Sequence, residues 1–143
     1  MPTVKRFEDL HVWQKTREFV RLIYSFSKQE KFAQDFALKD QIRRAASSIM
    51  HNIAEGFGAG SDSEFIRFLG YARRSTTETQ SQLYIALDEQ YITQSQFDHA
   101  YEDALQILKQ INSLIGFLDR ARKNNYKTVK DERSVYRIEF PDL

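Results

Sequence analysis

Residues 41–56, QIRRAASSIMHNIAEG, decide how this chain folds, because two stripes recur in them at helical spacing. Ile42, Ala45, Ala46, Ile49 and Ile53 return every three or four residues and mark a face for burial. Beside them Gln41, Arg44, Ser48, Asn52 and Glu55 keep the same rhythm. Lys, Glu and Ala would serve a merely solvated face. Here the polar positions carry hydrogen-bonding groups of mixed charge beside small Ala and Ser, which admit a second helix at close range. The pattern predicts a partly buried polar seam whose members each need a partner.

Working outward, the chain reads as four helices and a tail. The first is expected over residues 9–27, with Asp9 as N-cap; Trp13, Val20, Ile23 and Tyr24 share one face, and Val12, Phe19 and Phe26 an adjacent one. Residues 28–34 are polar, break the pattern and read as a loop. The second helix, 35–56, stops at the glycines of GFGAG. Ser61 with Glu64, and Thr93 with Gln96, read as capping boxes that open the third and fourth helices, expected to end near residues 90 and 123.

Phe65, Leu69, Ala72, Thr76, Thr79, Leu83 and Ala86 alternate steps of four and three in the third helix. Phe97, Tyr101, Ala104, Leu108, Ile111, Ile115 and Leu118 do so in the fourth, with a flanking row at Ala100, Ile107, Leu114 and Ala121. That arc is wider than one bundle seam needs, and contiguous exposed apolar surface marks an interaction site. A homo-oligomer is therefore expected. The expected fold is an all-α, antiparallel up-down-up-down four-helix bundle over residues 1–124, with a tail at 125–143 in which SVYRIEF reads as an extended segment.

Composition narrows the function classes. The 143 residues suit a single domain, and 41% hydrophobic with 29% charged residues suits a globular one. No apolar run approaches the roughly 20 residues that span a bilayer, so no membrane partner is expected. The start, MPTVKRFEDL, has no apolar leader core, and cytoplasmic residence is expected. With no cysteine, disulfides, thiolate metal sites and cysteine nucleophiles are excluded.

Motifs for catalysis are missing too. The sequence holds no P-loop, dinucleotide fingerprint or G-x-S-x-G. GFGAG has no following Lys and reads as a helix stop. His51 with Glu55, and His99 with Glu102 and Asp103, are fragments of metal sites, and the paired Glu-x-x-His of di-iron bundles is absent. Ser47 and Ser48 lie near His51 on one helix, which does not make an attack geometry. No catalytic, cofactor-binding or metal-binding residue is expected, and the chain reads as a non-enzyme.

The third helix carries a polar row of its own, Ser75, Glu78 and Gln82. A buried acid needs a partner, and Arg44 is the expected one for Glu78 or Glu55, in an ion-pair network that sets helix register. Charge is also segregated along the chain. Residues 75–119 hold seven acids and one base, net −6, which leaves +7 for the remainder of a chain whose total is +1. Residues 120–130 hold Arg120, Arg122, Lys123, Lys127 and Lys130 and no acid. Such asymmetry speaks to partners.

FEDLHVWQK near the start, QIRRAASSIMHNIAEGFG, and SEFIRFLGYARRSTTETQSQL together resemble the four-helix-bundle family of 23S ribosomal RNA intervening-sequence proteins. That family also includes the accessory variability proteins of diversity-generating retroelements. The resemblance covers about residues 7–118. Gln41, Ser48, Asn52, Ala54, Glu55 and Gly56 match the central motif, and Phe65, Ser75 and Glu78 match the third helix. It implies a small bacterial protein assembled as a ring-like homopentamer. In the retroelement branch it further implies a basic surface for nucleic acid and for the reverse transcriptase. This chain departs at two places: Ala59 stands where a basic residue is common, and Arg74 where a small one is.

The expected phosphate contacts are Arg43, Arg67, Arg73, Arg74, Arg120, Arg122, Lys123, Lys127 and Lys130, to RNA or DNA and without base readout. The competing reading is an assembly module with no nucleic-acid role. There the terminal cations offset the macrodipole of the last helix.

Overall fold

The computed structural model describes residues 4–123. A 3-10 turn at Phe7–Asp9 precedes five α-helices: α1 His11–Ser27, α2 Glu30–Gln34, α3 Phe36–Gly58, α4 Asp62–Asp88 and α5 Gln94–Lys123. The four long helices close a ring of contacts, α1 on α3, α3 on α4, α4 on α5 and α5 back on α1. The fold is an all-α four-helix bundle. Helices α3 and α4 run antiparallel, since Gly56 faces Phe65 and Phe68 while Ser48 bonds Ser75. So do α4 and α5, where Arg122 reaches Ser63, Arg73 reaches Asn112, and Tyr84 packs on Phe97. The tail, its extended segment, Lys127 and Lys130 lie outside the described residues.

Helix ends follow local chemistry. Thr93 and Gln96 form the full reciprocal box: the Gln96 N–H donates to Thr93 Oγ1 at 3.1 Å, and the Thr93 N–H to Gln96 Oε1 at 2.9 Å. Ser61 forms half of one. Its Oγ accepts from the Glu64 N–H at 3.2 Å, but the Glu64 carboxylate turns away to Arg67. Asp9 does not cap α1; it lies in the 3-10 turn, and Leu10 occupies the cap without a side-chain bond. Helix α3 continues to Gly58, and Gly60 makes the turn with φ at +89°, a value that disfavours any side chain.

The expected loop at 28–34 contains α2 instead. Its Phe32 is buried and stacks on Tyr91 with ring centroids 5.3 Å apart. Asp35 completes the joint. One of its carboxylate oxygens accepts from the Leu38 N–H at 3.0 Å, capping α3, and the other accepts from the Tyr91 hydroxyl at 2.9 Å.

The core stripe of α4 is as expected: Phe65, Leu69, Ala72, Thr76, Thr79, Leu83 and Ala86 are all fully buried. Its two threonines donate back to the carbonyls of Ala72 and Ser75, both at 2.8 Å, so neither hydroxyl is orphaned in the core. Two faces are rotated from expectation. In α1 the buried residues are Val12, Thr16, Phe19, Ile23, Phe26 and Ser27, while Tyr24 is exposed. In α5 the supposed flanking row of Ala100, Ile107, Leu114 and Ala121 is core, and Tyr101, Leu108 and Ile115 sit half-buried at its edge. One bundle does cover that arc, so the row does not mark an oligomer interface.

A long-range ion pair ties α1 to α5: Lys15 Nζ lies 3.0 Å from Asp103 Oδ1, with both side chains mostly buried. His99 Nε2 approaches the other oxygen of Asp103 at 3.4 Å. Nothing in the local spacing of the sequence announces this contact.

Candidate nucleic-acid interface

The polar seam divides on inspection. Its middle is built as a hydrogen-bonded bridge between α3 and α4. Asn52 Nδ2 donates to the Ser48 carbonyl at 2.8 Å and to Ser48 Oγ at 2.9 Å, and Ser75 Oγ donates to the same Ser48 Oγ at 3.0 Å. These three side chains are half-buried, as a partnered seam requires. Gln41, Arg44, Glu55 and Glu78 are exposed in the single chain instead. Arg44 pairs with neither glutamate; its Nε lies 3.0 Å from Asp40, one turn back on its own helix, with the two side chains 79% and 60% exposed. Glu78 accepts from Gln82 Nε2 at 3.3 Å. The register-setting ion pair across α3 and α4 is therefore not formed, because the local i, i+4 partner takes the guanidinium. An open groove of about 580 Å³ follows the seam, lined by Tyr24, Asp40, Arg43, Arg44, Ser48 and Glu55 among others.

The predicted phosphate contacts separate into two groups. Arg43 is occupied structurally: its Nε donates to buried Ser27 Oγ at 2.7 Å and its guanidinium stacks 4.4 Å from the Tyr24 ring. The other described ones collect on the α4–α5 hairpin. Arg67, Arg73, Arg74, Arg120, Arg122 and Lys123 are all exposed. Arg73 Nη1 donates to Asn112 at 3.0 Å and Arg122 Nη1 to Ser63 at 3.3 Å, which places both stretches at one end of the bundle. Asp119 sits between Arg122 (2.7 Å) and Lys123 (3.1 Å); the Lys123 hydrogen bond first, then that of Arg122, holds its carboxyl below the usual range.

Antiparallel packing turns the linear segregation of charge into a gradient in space. Residues 62–75 and 112–123, which share that end, hold the six exposed bases and three acids (Asp62, Glu64, Asp119), net +3. The other end of the hairpin, residues 76–111, holds six acids and Lys109, net −5. The sequence shows the runs, but only the hairpin shows that the two basic stretches meet.

Sequence reasoning missed the aromatic residues of this end. Arg67 lies 5.0 Å from the Phe68 ring and 5.6 Å from Tyr71, and Arg74 lies 5.9 Å from Tyr71. Arg67 also donates to Glu64 at 2.6 Å and to the Tyr71 hydroxyl at 3.0 Å. Those two bonds, the Glu64 one foremost, raise the guanidinium's pKa further. The spacing R-F-x-x-Y-x-x-R was the available signal.

Beneath this end Asp62 is buried in the first turn of α4, with Oδ1 unpartnered among the described residues. Burial pushes its pKa up, and Arg122 offsets this in part. A carboxyl with a folded pKa above its ordinary 3.8 lowers stability progressively as pH rises through the interval between those values. Asp62→Asn is accordingly expected to gain melting temperature on the wild type as the pH is raised from acid to neutral. A difference between the two proteins that stays constant with pH would refute this.

Residues 8–113 match the family described as 23S rRNA-intervening sequence protein. The chain belongs to that family. A crystal structure from Bacteroides thetaiotaomicron VPI-5482, of a protein with unknown function from the S23 ribosomal protein family, is similar to it at 33% identity. That likeness covers 73% of this chain and 97% of the other, with a TM-score of 0.67. No curated protein matches the chain. The family match spans the seam and the first basic stretch, while residues 114–143 with the α5 cations lie beyond it. Among the described residues no helix is long and apolar enough to cross a membrane, and no group of three His, Cys, Asp or Glu could hold a metal ion.

Proposed function

We propose that this intervening-sequence family protein is a non-enzymatic, self-associating bundle whose basic α4–α5 end contacts the phosphates of RNA or DNA without reading sequence. The carrying observation is the charge gradient of the hairpin, +3 at one end against −5 at the other, with Arg67, Arg73 and Arg74 exposed on the positive end. Attraction to a polyanion and repulsion of its wrong approach both follow from that field. If those three arginines each neutralise one phosphate, the salt slope is about −2 to −3. Affinity then falls roughly 20- to 40-fold between 50 and 200 mM salt. A gel-shift titration across that range, in the cytoplasmic conditions the sequence suggests, tests it. Absence of binding at 50 mM salt and micromolar protein would end the nucleic-acid reading.

Self-association rests on Tyr84, Ile85 and Leu105, which are exposed on α4 and α5 in the single chain. The pentameric number is taken from the resemblance. Light scattering is expected to return a multiple of the 16.9 kDa chain mass. A monomer at micromolar concentration would refute it.

One observation favours the second reading, an assembly module with a protein partner such as a reverse transcriptase and no nucleic-acid role. Arg67, Arg122 and Lys123 already have acidic partners on their own helices. Exposed pairs of this kind contribute at most about 1 kcal/mol, however, and a phosphate can displace the carboxylate.

A further inference from the structure

Gly70 lies inside α4, about two turns from its start, and a Cβ built on it meets nothing within 4 Å. Glycine is disfavoured in a helix interior relative to alanine. Gly56 on α3 has a packing reason to lack a side chain; Gly70 has none among the described residues. Its position supplies one from outside. Steps of three and four residues put Arg67, Gly70 and Arg74 on one face, where the two arginines are exposed and Gly70 and Tyr71 half-buried. The two arginines stand about 10 Å apart along the axis, with the Tyr71 ring on one side of the line between them and the side-chain-free Gly70 on the other.

We infer that this face is a seat for single-stranded nucleic acid, in which a nucleotide lies against Gly70 between Arg67 and Arg74. This rests on the nucleic-acid reading and specifies its ligand. The Arg67 guanidinium is held by Glu64 and by the Tyr71 hydroxyl, at 2.6 and 3.0 Å, and is oriented before any ligand arrives. The guanidinium lies 5.0 Å from the Phe68 ring and 5.6 Å from the Tyr71 ring, which meet edge to face at 5.8 Å, so it caps an aromatic cluster. An unpaired base stacks on a guanidinium plane or an aromatic ring, whereas the bases of a duplex are already stacked on one another. The missing Cβ lets the sugar-phosphate chain approach the helix, and Arg74 provides the second cation.

Fluorescence anisotropy with labelled oligo-dT and with a blunt DNA duplex of mixed sequence, on the full chain at about 50 mM salt, tests this. The wild type is expected to prefer the single strand. Gly70→Leu, which fills open space with a good helix former, is expected to melt no lower than wild type yet lose about fivefold or more in oligo-dT affinity, the lower end of one base's stacking contribution. Tyr71→Ala is expected to lose oligo-dT affinity similarly and to lose less for the duplex. Equal binding of both probes with Gly70→Leu unaffected would overturn the seat and leave the phosphate-binding function standing. No binding of either probe by the wild type would remove both. If Gly70→Leu changes the sedimentation coefficient and not the affinity, a second copy covers this face and the inference is wrong.

Discussion

Phe32→Ala is expected to lower the unfolding free energy by about 3–5 kcal/mol, a range typical of truncating a buried aromatic side chain. Phe32 is 1% exposed and belongs to a helix of only five residues, Glu30–Gln34. A helix so short has no stability of its own, so its position depends on that one ring. The ring stacks on Tyr91 of the α4–α5 connection, and Tyr91 in turn bonds Asp35, the cap of α3. Removing the ring leaves a cavity where three connections meet. Exposed Gln34 in the same helix is the control, with a change within about 0.5 kcal/mol. Denaturant unfolding of both variants measures the contrast, and a loss at Phe32 no larger than at Gln34 would show the segment to be a solvated loop.

Gly56→Ala is expected to cost about 1–3 kcal/mol despite the better helix propensity of alanine, and Gly56→Leu more. The added Cβ would stand 2.8 Å from the Phe68 Cβ and 3.0 Å from the Phe65 ring. The Phe68 atom is the root of a side chain and cannot swing aside, so one helix must shift. Here α3 and α4 are in close contact, beside the edge-to-face pair of Phe57 and Phe65. A melting temperature for Gly56→Ala at or above wild type would mean the helices have slack there. Gly70 offers the opposite case on the facing helix, where a side chain meets nothing.

The bundle was legible because α4 buries one clean stripe. Seven residues from Phe65 to Ala86 at steps of four and three allow a single orientation. The α5 stripe was misjudged for the opposite reason. Two adjacent rows both satisfy helical spacing, and the choice of Ala100, Ile107 and Leu114 over Tyr101, Leu108 and Ile115 depends on where α1 and α4 lie. Spacing reports which residues share a face, never whether another helix covers it. The seam illustrates this, with Ser48, Asn52 and Ser75 bonded together and Gln41, Arg44, Glu55 and Glu78 in solvent. Asp40 was the nearer partner for Arg44 at i, i+4 and could have been named from the sequence. Five residues of α2 are too few for periodicity to register.

At the site, the cations were legible as charge, but the meeting of residues 62–75 with 112–123 needed the hairpin. Lys15 and Asp103 are separated by 88 positions, beyond the reach of any local pattern.

That last contact has a kinetic consequence. Helices α3, α4 and α5 each pack on the next in chain order, through short turns, so their pairing needs little loop closure. The α1–α5 seam instead joins opposite ends of the chain, and its entropy is recovered only when the ring closes. Helix α1 is thus expected to dock last in folding and to detach first under native conditions. Its amides should exchange with solvent faster than those of α4. Release of α1 would expose the faces of α3 and α5 that it covers while leaving the Arg67–Arg74 face of α4 intact.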